Sequence, residues 1–283
     1  LETVYARARL SVHWDCAEPQ LSSDDGIDIR AARNPLLLRQ GKPVVPNDFV
    51  RPPETLFLVI SGPNAGGKTV SLDTLGLLFL MTASGMHLPT SADARIFVPR
   101  TVYTLMSDAQ DLERSLSTFT GQLRGLEGVF RAAKRTASHQ SHQVHESAKA
   151  LGATRDVLLI DEILAGTDPN EGAALAWAAL EHAADLGITG AVTTHYELLK
   201  TLPYHDARFV NAAMGLDPET QRPSFRLSVG APGSSSPLRI AREVGFDAEI
   251  VGRASEILGS GDRKIDEIIR RMEDQTRALE LES

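Results

Sequence analysis

Cysteine is almost absent from the chain. Cys16 is the only one among 283 residues, so no disulfide can form within the chain, which fits a reducing compartment and predicts a cytoplasmic location. Long apolar runs are lacking too, since the most apolar stretch, Leu75 to Met81, is far shorter than the ~20 residues of a membrane-spanning helix. The opening residues show no secretory signal pattern. We therefore expect no membrane partner.

A surplus of positive charge is also lacking. Lysine and arginine number 29 against 37 aspartates and glutamates, which gives a formal net charge of −8. A surface that mainly grips a phosphate backbone usually carries a basic surplus. We therefore expect this segment not to supply most of any nucleic-acid contact. The 42% of hydrophobic residues predicts a sizeable folded core instead of disorder.

The sequence divides into a central domain and two flanking pieces. It begins inside a helical pattern without an initiator methionine, so we expect a piece of a longer protein. Residues 1–26 are predicted to be a helical stump with a turn-rich connector, and residues 256–283 a charged helix leaving toward a C-terminal region. The central domain is predicted over residues 27–255, with an insertion near 135–150.

The insertion carries three histidines at helical spacing. They are His139, His142 and His145. No cysteine or carboxylate cluster accompanies them to complete a coordination shell, which favours a solvated, mobile segment over a metal site.

Apolar strands alternate with helices along the central domain. Strands ending in polar residues predict a mostly parallel α/β sheet flanked by helices, with a site at the carboxyl ends of the strands. The predicted strands are LFLVI (56–60), DVLLI (156–160) and TGAVTTH (189–195), and the predicted helices are 69–84 and 171–186.

A glycine-rich turn follows the first of these strands and precedes a helix. Its sequence, GPNAGGKT, has the G-x-x-x-x-G-K-[ST] spacing of a phosphate-binding loop. Glycines let backbone N–H groups converge on phosphate oxygens, the lysine brings a cation to the β- and γ-phosphates, and the threonine hydroxyl can bind Mg²⁺. The pattern predicts ATP binding by Gly62, Pro63, Asn64, Ala65, Gly66, Gly67, Lys68 and Thr69.

Two carboxylates and a histidine end the other two strands. Asp161 is placed beside the magnesium of such a site, and Glu162 is placed to orient or deprotonate an attacking water. Both could instead cap the following turn. His195 could be a plain surface residue, but the sheet edge on which it falls favours a γ-phosphate or transition-state role.

The segment SLSTF, residues 115–119, carries hydroxyl residues before a helical pattern. Ser117 and Thr118 are good N-cap types, and a hydroxyl-capped helix N-terminus can bind an anion. The residues alone leave a plain cap and an anion site equally open.

The order of these motifs resembles the ABC-type ATPases. The phrases GPNAGGKTVSLDTLGLL, GTDPNEGAALA, TTHYELLK and VGAPGSSSPLRIA are similar to the MutS family, and more to its second bacterial paralogue, the anti-recombination type, than to the mismatch-repair founder. The similarity runs from about Ile29 to Leu258. It implies a P-loop ATPase fold of the ABC type.

The resemblance also implies roles that the residues alone do not. Ser117 and Thr118 would contact the γ-phosphate of ATP held by the partner in a homodimer, and Gln110 would couple the magnesium to neighbouring elements. The AGTDP loop (165–169) would cross the dimer interface. Residues between Asn34 and Asn47 would lie near the adenine, although there is no clear aromatic residue for stacking around Val44–Asn47.

The function implied is an ATPase that switches a DNA clamp acting on branched DNA to suppress recombination. Most DNA contacts would come from segments outside this chain, as would the nuclease domain of full-length relatives. The alternative implied by the same resemblance is ribosome quality control, with stalled ribosomes and their RNA as the partner. Two further hypotheses are a transporter subunit, which the MutS-like phrases oppose, and a P-loop module that binds ATP without hydrolysing it, which Glu162 opposes.

Overall fold

A computed structural model describes residues 1–24, 26–63, 65–106, 115–140, 155–217, 220, 222–233, 238, 241–242 and 245–257. Its helices are α1 (Glu2–His13), α2 (Pro35–Arg39), α3 (Lys68–Ala83), α4 (Ser115–Gln140), α5 (Pro169–Asp185), α6 (Glu197–His205) and α7 (Ala248–Ile257). Its strands are β1 (Gln20–Leu21), β2 (Ile27–Ala32), β3 (Asn47–Arg51), β4 (Phe57–Ser61), β5 (Arg95–Ile96), β6 (Thr101–Leu105), β7 (Asp156–Ile160), β8 (Thr189–Thr193), β9 (Phe209–Leu216) and β10 (Pro223–Val229).

The larger sheet has six strands in the order β10-β9-β4-β8-β7-β6. All neighbouring pairs are parallel except β10 with β9. Every residue of β4, β7 and β8 is buried, as expected for central strands of a parallel sheet with both faces covered. The predicted mostly parallel α/β sheet flanked by helices is confirmed.

The two faces of this sheet are covered by different elements. On β4, Leu58 and Ile60 pack in a cluster with α3 residues and with the smaller sheet, whose order is β1-β5-β2-β3. Phe57 and Val59, which alternate with them, pack in a second cluster with residues of α4, α5 and α6. The sheet therefore has α3 on one side and α4 on the other, and the loops at its carboxyl edge lie between these helices.

Helix α4 runs into the segment predicted as an insertion near 135–150. The helix continues to Gln140, and its buried apolar residues Leu126, Val129 and Ala133 lie at helical spacing. His139 lies within α4, whereas His142 and His145 fall outside the described residues. Among the residues that the structure describes, no group of three or more metal-ligating side chains occurs.

Some predicted ends shift by a few residues. Helix α5 begins at Pro169, two residues before the predicted start, because the Asp168 carboxylate accepts from Asn170 N and Glu171 N and caps the helix there. Strand β8 ends at Thr193, two residues before the predicted end of that strand. The predicted exit helix falls outside the described residues beyond Ile257. None of the described helices is both long and apolar enough to cross a membrane.

Candidate active site

The phosphate loop connects β4 to α3, and its backbone is in the conformation that the glycines allow. Gly62 and Gly67 have φ of +133° and +96°, and Ala65 has φ of +62°. A Cβ at Gly62 would lie 2.9 Å from the carbonyl oxygen of Met214, so the neighbouring strand β9 also excludes a side chain there. The loop therefore forms a tight turn directly before the N-terminus of α3, where a helix can bind an anion.

Lys68 is the first residue of α3, and its side chain curls over the loop. Its Nζ donates to the carbonyl oxygens of Gly62 at 3.0 Å and Pro63 at 3.2 Å. Burial lowers the pKa of Lys68, while Glu162 and Asp161 act in the opposite direction. A phosphate at the loop would stabilise the charged form of this lysine further.

Asp161 joins the end of β7 to the phosphate loop. Its carboxylate is 4% exposed and accepts from the Thr69 hydroxyl at 2.8 Å and from the Thr193 hydroxyl at 2.6 Å. The end of β7 thus holds the Asp161 carboxylate beside the hydroxyl of Thr69, the residue after Lys68. Burial, and then repulsion from Asp161, raise the pKa of Asp73 on the neighbouring turn of α3.

This donor set fits Mg²⁺. Magnesium binds through one or two protein oxygens, keeps several waters and takes the rest of its ligands from substrate phosphates. The Thr69 hydroxyl and the Asp161 carboxylate are such oxygens, and neither nitrogen nor sulfur is needed. The predicted magnesium residues are therefore adjacent in the structure.

Glu162 follows Asp161 in a turn with strained backbone. Glu162 and Leu164 both have φ of +49°. The N–H of Glu162 donates to the Thr193 hydroxyl at 2.7 Å. Gln122 of α4 spans the same turn, because its Nε2 donates to the Asp161 carbonyl at 3.0 Å and its Oε1 accepts from Leu164 N at 2.6 Å. The sequence alone predicts no role in the site for Gln122 or for Thr193, although Thr193 is the first residue of the phrase TTHYELLK.

His195 lies two residues beyond the end of β8. Strand β8 pairs with β7 so that Val192 is opposite Ile160, which places His195 at the sheet edge that carries Asp161. The histidine is exposed, and its ring lies 4.6 Å from that of Tyr196. The structure therefore puts it at the predicted edge, open to a ligand.

Four of the predicted residues are described in part or not at all. Asn64 and Gln110 lie outside the described residues. Ser117 and Thr118 lie in α4, which is described from Ser115 onward, and only their helical backbone is described. Their predicted roles stay predictions.

A cavity of about 220 Å³ opens beside the phosphate loop. It is lined in part by the stretch from Asn34 to Asn47 and by Gly67, the last glycine of the loop. The aromatic residue that this stretch lacks comes from β10, since Phe225 also lines the cavity. Phe225 has φ of +56°, and Asn47 holds its surroundings by donating to the Phe225 carbonyl at 3.0 Å and accepting from Leu227 N at 2.6 Å.

Comparisons with known proteins point to one family. The family model described as MutS domain V matches residues 132–260. The chain is 39% identical over 277 residues to Endonuclease MutS2 of Symbiobacterium thermophilum, covering 98% of this chain and 32% of that protein. It is 37% identical over 294 residues to Endonuclease MutS2 of Thermomicrobium roseum, covering 100% and 34%, and 36% identical over 273 residues to Endonuclease MutS2 of Acetivibrio thermocellus, covering 96% and 32%.

The chain spans about a third of the length of these relatives. The matched domain includes β7, the turn with Glu162, and β8. The expected P-loop ATPase fold, with its mostly parallel sheet flanked by helices, agrees with this match. The resemblance that the motifs predicted is therefore confirmed, and the chain carries a MutS-family ATPase domain of the MutS2 type.

Proposed function

We propose that this chain is the ATPase and dimerisation module of a MutS-like protein that acts on branched DNA and suppresses recombination. The observation that carries the ATPase part is the junction of loop and sheet. The Asp161 carboxylate bonds to the Thr69 hydroxyl of the phosphate loop, and Glu162 follows it directly. We keep the boundaries of 1–26, 27–255 and 256–283 for the stump, the ATPase domain and the exit helix.

The residues of the site divide the work of hydrolysis. The loop from Gly62 to Thr69 would bind the phosphates, and Thr69 with Asp161 would hold Mg²⁺, which supplies charge neutralisation when bound. Glu162 would take a proton from water as the water oxygen attacks the γ-phosphorus and ADP leaves. Base assistance of this kind contributes roughly 10²–10⁴ in rate. His195 would stabilise charge at the γ-phosphate, and Gln110 would couple the metal to neighbouring elements.

The cavity beside the phosphate loop offers a site for the adenine of ATP. Its walls are mostly apolar, and Phe225 offers an aromatic face next to Gly67, where a Cβ would lie 3.3 Å from the Phe225 ring. A purine can stack on such a ring. We therefore place the adenine against Phe225 and the phosphates over the loop.

The site as proposed is completed by a second copy of the chain. Ser117 and Thr118 near the start of α4 would contact the γ-phosphate held by the partner's Lys68, using the helix N-terminus as an anion site. ATP would then stabilise the closed homodimer, and hydrolysis would remove these contacts and loosen it. The dimer would switch DNA-binding segments outside this chain.

The proposal also specifies which nucleic acid the full protein binds. The relatives are named endonucleases, and an endonuclease acts on nucleic acid, which supports a nucleic-acid target. The choice of branched DNA and the cytoplasmic location stay predictions. The full protein should bind branched DNA more tightly than linear duplex, with an affinity that falls steeply with salt. Tight binding to stalled ribosomes with weak binding to branched DNA would favour the ribosome alternative instead.

The ATPase assignment is tested by Glu162→Gln, which keeps the shape of the side chain and removes the base. We expect phosphate release to fall at least a hundredfold while ATP affinity stays within a few fold. The mass of the variant in solution should double when ATP is added. Equal phosphate release by wild type and variant would remove Glu162 from the mechanism.

A further inference from the structure

The turn that carries Glu162 is in a backbone conformation that its own residues disfavour. Glu162 and Leu164 both lie in the left-handed region, with φ of +49°. For residues with a Cβ this region is disfavoured, because the Cβ comes too close to the following carbonyl oxygen. Leu164 is fully buried, so its conformation cannot relax into solvent. Such a turn persists only where surrounding contacts hold it.

Gln122 of α4 makes two of these contacts with one side chain. Its Nε2 donates to the Asp161 carbonyl at 3.0 Å, and its Oε1 accepts from Leu164 N at 2.6 Å. The partners fix the orientation of the carboxamide, because a carbonyl can only accept and a backbone N–H can only donate. Gln122 is 5% exposed, so water does not substitute readily for either bond. Glu162 lies between the two bonded residues.

The other contacts to the turn come from a different part of the fold. The Thr193 hydroxyl, at the end of β8, accepts from Glu162 N at 2.7 Å. The Tyr196 hydroxyl donates to the Leu164 carbonyl at 2.8 Å. Thr193 is the last residue of β8 and Tyr196 lies shortly after that strand, whereas Gln122 reaches the turn from α4. Among the hydrogen bonds of the described residues, those of Gln122 tie the turn to α4, beside the apolar packing of Ile163 and Leu164 in the cluster that holds Leu126.

We propose that Gln122 is a positioning residue for hydrolysis, which couples the position of Glu162 to that of helix α4. The inference rests on the proposed role of Glu162. In this role Gln122 would act through the turn and not through a contact with the nucleotide. It holds the turn at the register in which the Glu162 carboxylate faces the water.

The same contact links the two sites of the proposed dimer. Gln122 lies five residues after Ser117, a distance of roughly 7.5 Å along a helix. A helix transmits a shift of one end to residues one turn away, because its backbone bonds are continuous. ATP bound to the partner and contacted by Ser117 would therefore set the position of Glu162 in this chain. Turnover should then rise with ATP more steeply than independent sites allow.

Gln122→Met is the direct test, since methionine keeps the length and apolar contacts and removes both hydrogen bonds. In the full protein we expect kcat for phosphate release to fall tenfold or more, with ATP affinity changed less than twofold. The sigmoidal dependence of the rate on ATP should become hyperbolic. Gln122→Glu should behave alike, because a carboxylate cannot donate to the Asp161 carbonyl. Arg124→Met, an exposed position on the same helix, is the matched control and should match wild type.

A double substitution separates positioning from a general structural role. Added to Glu162→Gln, Gln122→Met should lower turnover no further, because both changes act through one carboxylate. An additional loss there, or a loss of ATP affinity as large as the loss of kcat, would show a structural role and overturn the inference. A hyperbolic wild-type curve would overturn the coupling between sites.

The two proposals fail in different ways. Normal turnover in Gln122→Met together with an inactive Glu162→Gln overturns the role of Gln122 and leaves the ATPase assignment standing. Equal turnover in wild type and Glu162→Gln overturns the assignment of Glu162, and the positioning role with it.

Discussion

The charged side chains of this site lie in electrostatic surroundings that bound ATP and its metal would make more favourable. Lys68 is 6% exposed, and burial lowers its pKa. Its amine bonds to two loop carbonyls, while Asp161 and Glu162 lie across the site. ATP brings negative charge to the lysine, and Mg²⁺ brings positive charge to the carboxylates. The arrangement therefore favours ATP and its metal binding together.

Phe225 is predicted to set the affinity for the base. Phe225→Ala removes the aromatic face from the cavity while leaving the phosphate loop in place. Stacking of a base on an aromatic side chain is worth roughly 1–3 kcal/mol, so ATP should bind about 5- to 150-fold more weakly. Titration with a fluorescent ATP analogue measures this.

Inorganic triphosphate and Phe246 provide the controls for that experiment. Triphosphate has no base, so its affinity should be the same for wild type and Phe225→Ala. Phe246, at 53% exposure, is a second exposed phenylalanine outside the cavity, and Phe246→Ala should bind ATP as wild type does. Equal ATP affinities for wild type and Phe225→Ala would place the base elsewhere.

The secondary-structure elements of this fold differ in how well the sequence predicts them. The strand DVLLI coincides with β7, and the helix after the phosphate loop begins one residue before its predicted start. Such elements are predictable because continuous apolar runs and a glycine turn are local signals. The position of Phe225 is different, because it depends on β10 folding back along β9 and on a bond to Asn47. Long-range contacts of that kind leave no local pattern.

The same limit applies to the residues that hold the catalytic turn. Gln122 lies in a helix whose periodicity is clear from the sequence, yet its bonds to Asp161 and Leu164 depend on how α4 packs against the sheet. Asp161 and Glu162 could be predicted because their spacing from an apolar strand carries the signal. Their supporting contacts could not, since polar residues on a helix are usually solvated.

The close packing of β8 in the sheet is testable at Gly190. A Cβ at this position would lie 1.8 Å from the carbonyl oxygen of Leu158 on β7, so Gly190→Ala must force the central strands apart. We expect a loss of roughly 2 kcal/mol or more in the free energy of unfolding, comparable to overpacking in a core. The midpoint of urea unfolding, monitored by circular dichroism, measures it.

Gly128 supplies the opposite case for the same measurement. It lies on the exposed side of α4 with nothing within 4 Å of a built Cβ. Gly128→Ala should stabilise the protein by roughly 0.5–1 kcal/mol, because alanine restricts the unfolded chain and favours helix. If Gly190→Ala unfolded at the same urea concentration as wild type, β7 and β8 could not be packed as closely as the structure has them.

At the scale of the whole molecule, the proposed dimer makes the two halves of each site separable by mutation. Lys68 belongs to the half that binds ATP, and Ser117 to the half that would reach across from the partner. Ser117→Arg places a bulky cation where the partner's phosphate should approach. We expect ATP affinity to stay within a few fold of wild type, while turnover and ATP-dependent dimerisation are lost. Gly128→Arg, on an exposed part of the same helix, is the matched control and should retain both.

Mixing two inactive variants then tests whether each site is shared. A dimer of one Lys68→Ala chain and one Ser117→Arg chain contains one site with both substitutions and one site with neither. After subunit exchange, turnover should recover to at most about a quarter of the wild-type rate per chain, because half of the dimers are mixed and each has one intact site. The proposed coupling through Gln122 lowers this value further, since the Glu162 of the intact site belongs to the Ser117→Arg chain. Each variant alone should stay inactive. A mixture as inactive as its components, together with a hyperbolic ATP dependence of the wild type, would mean that every site lies within a single chain, and helix α4 would then have no part in the partner's chemistry.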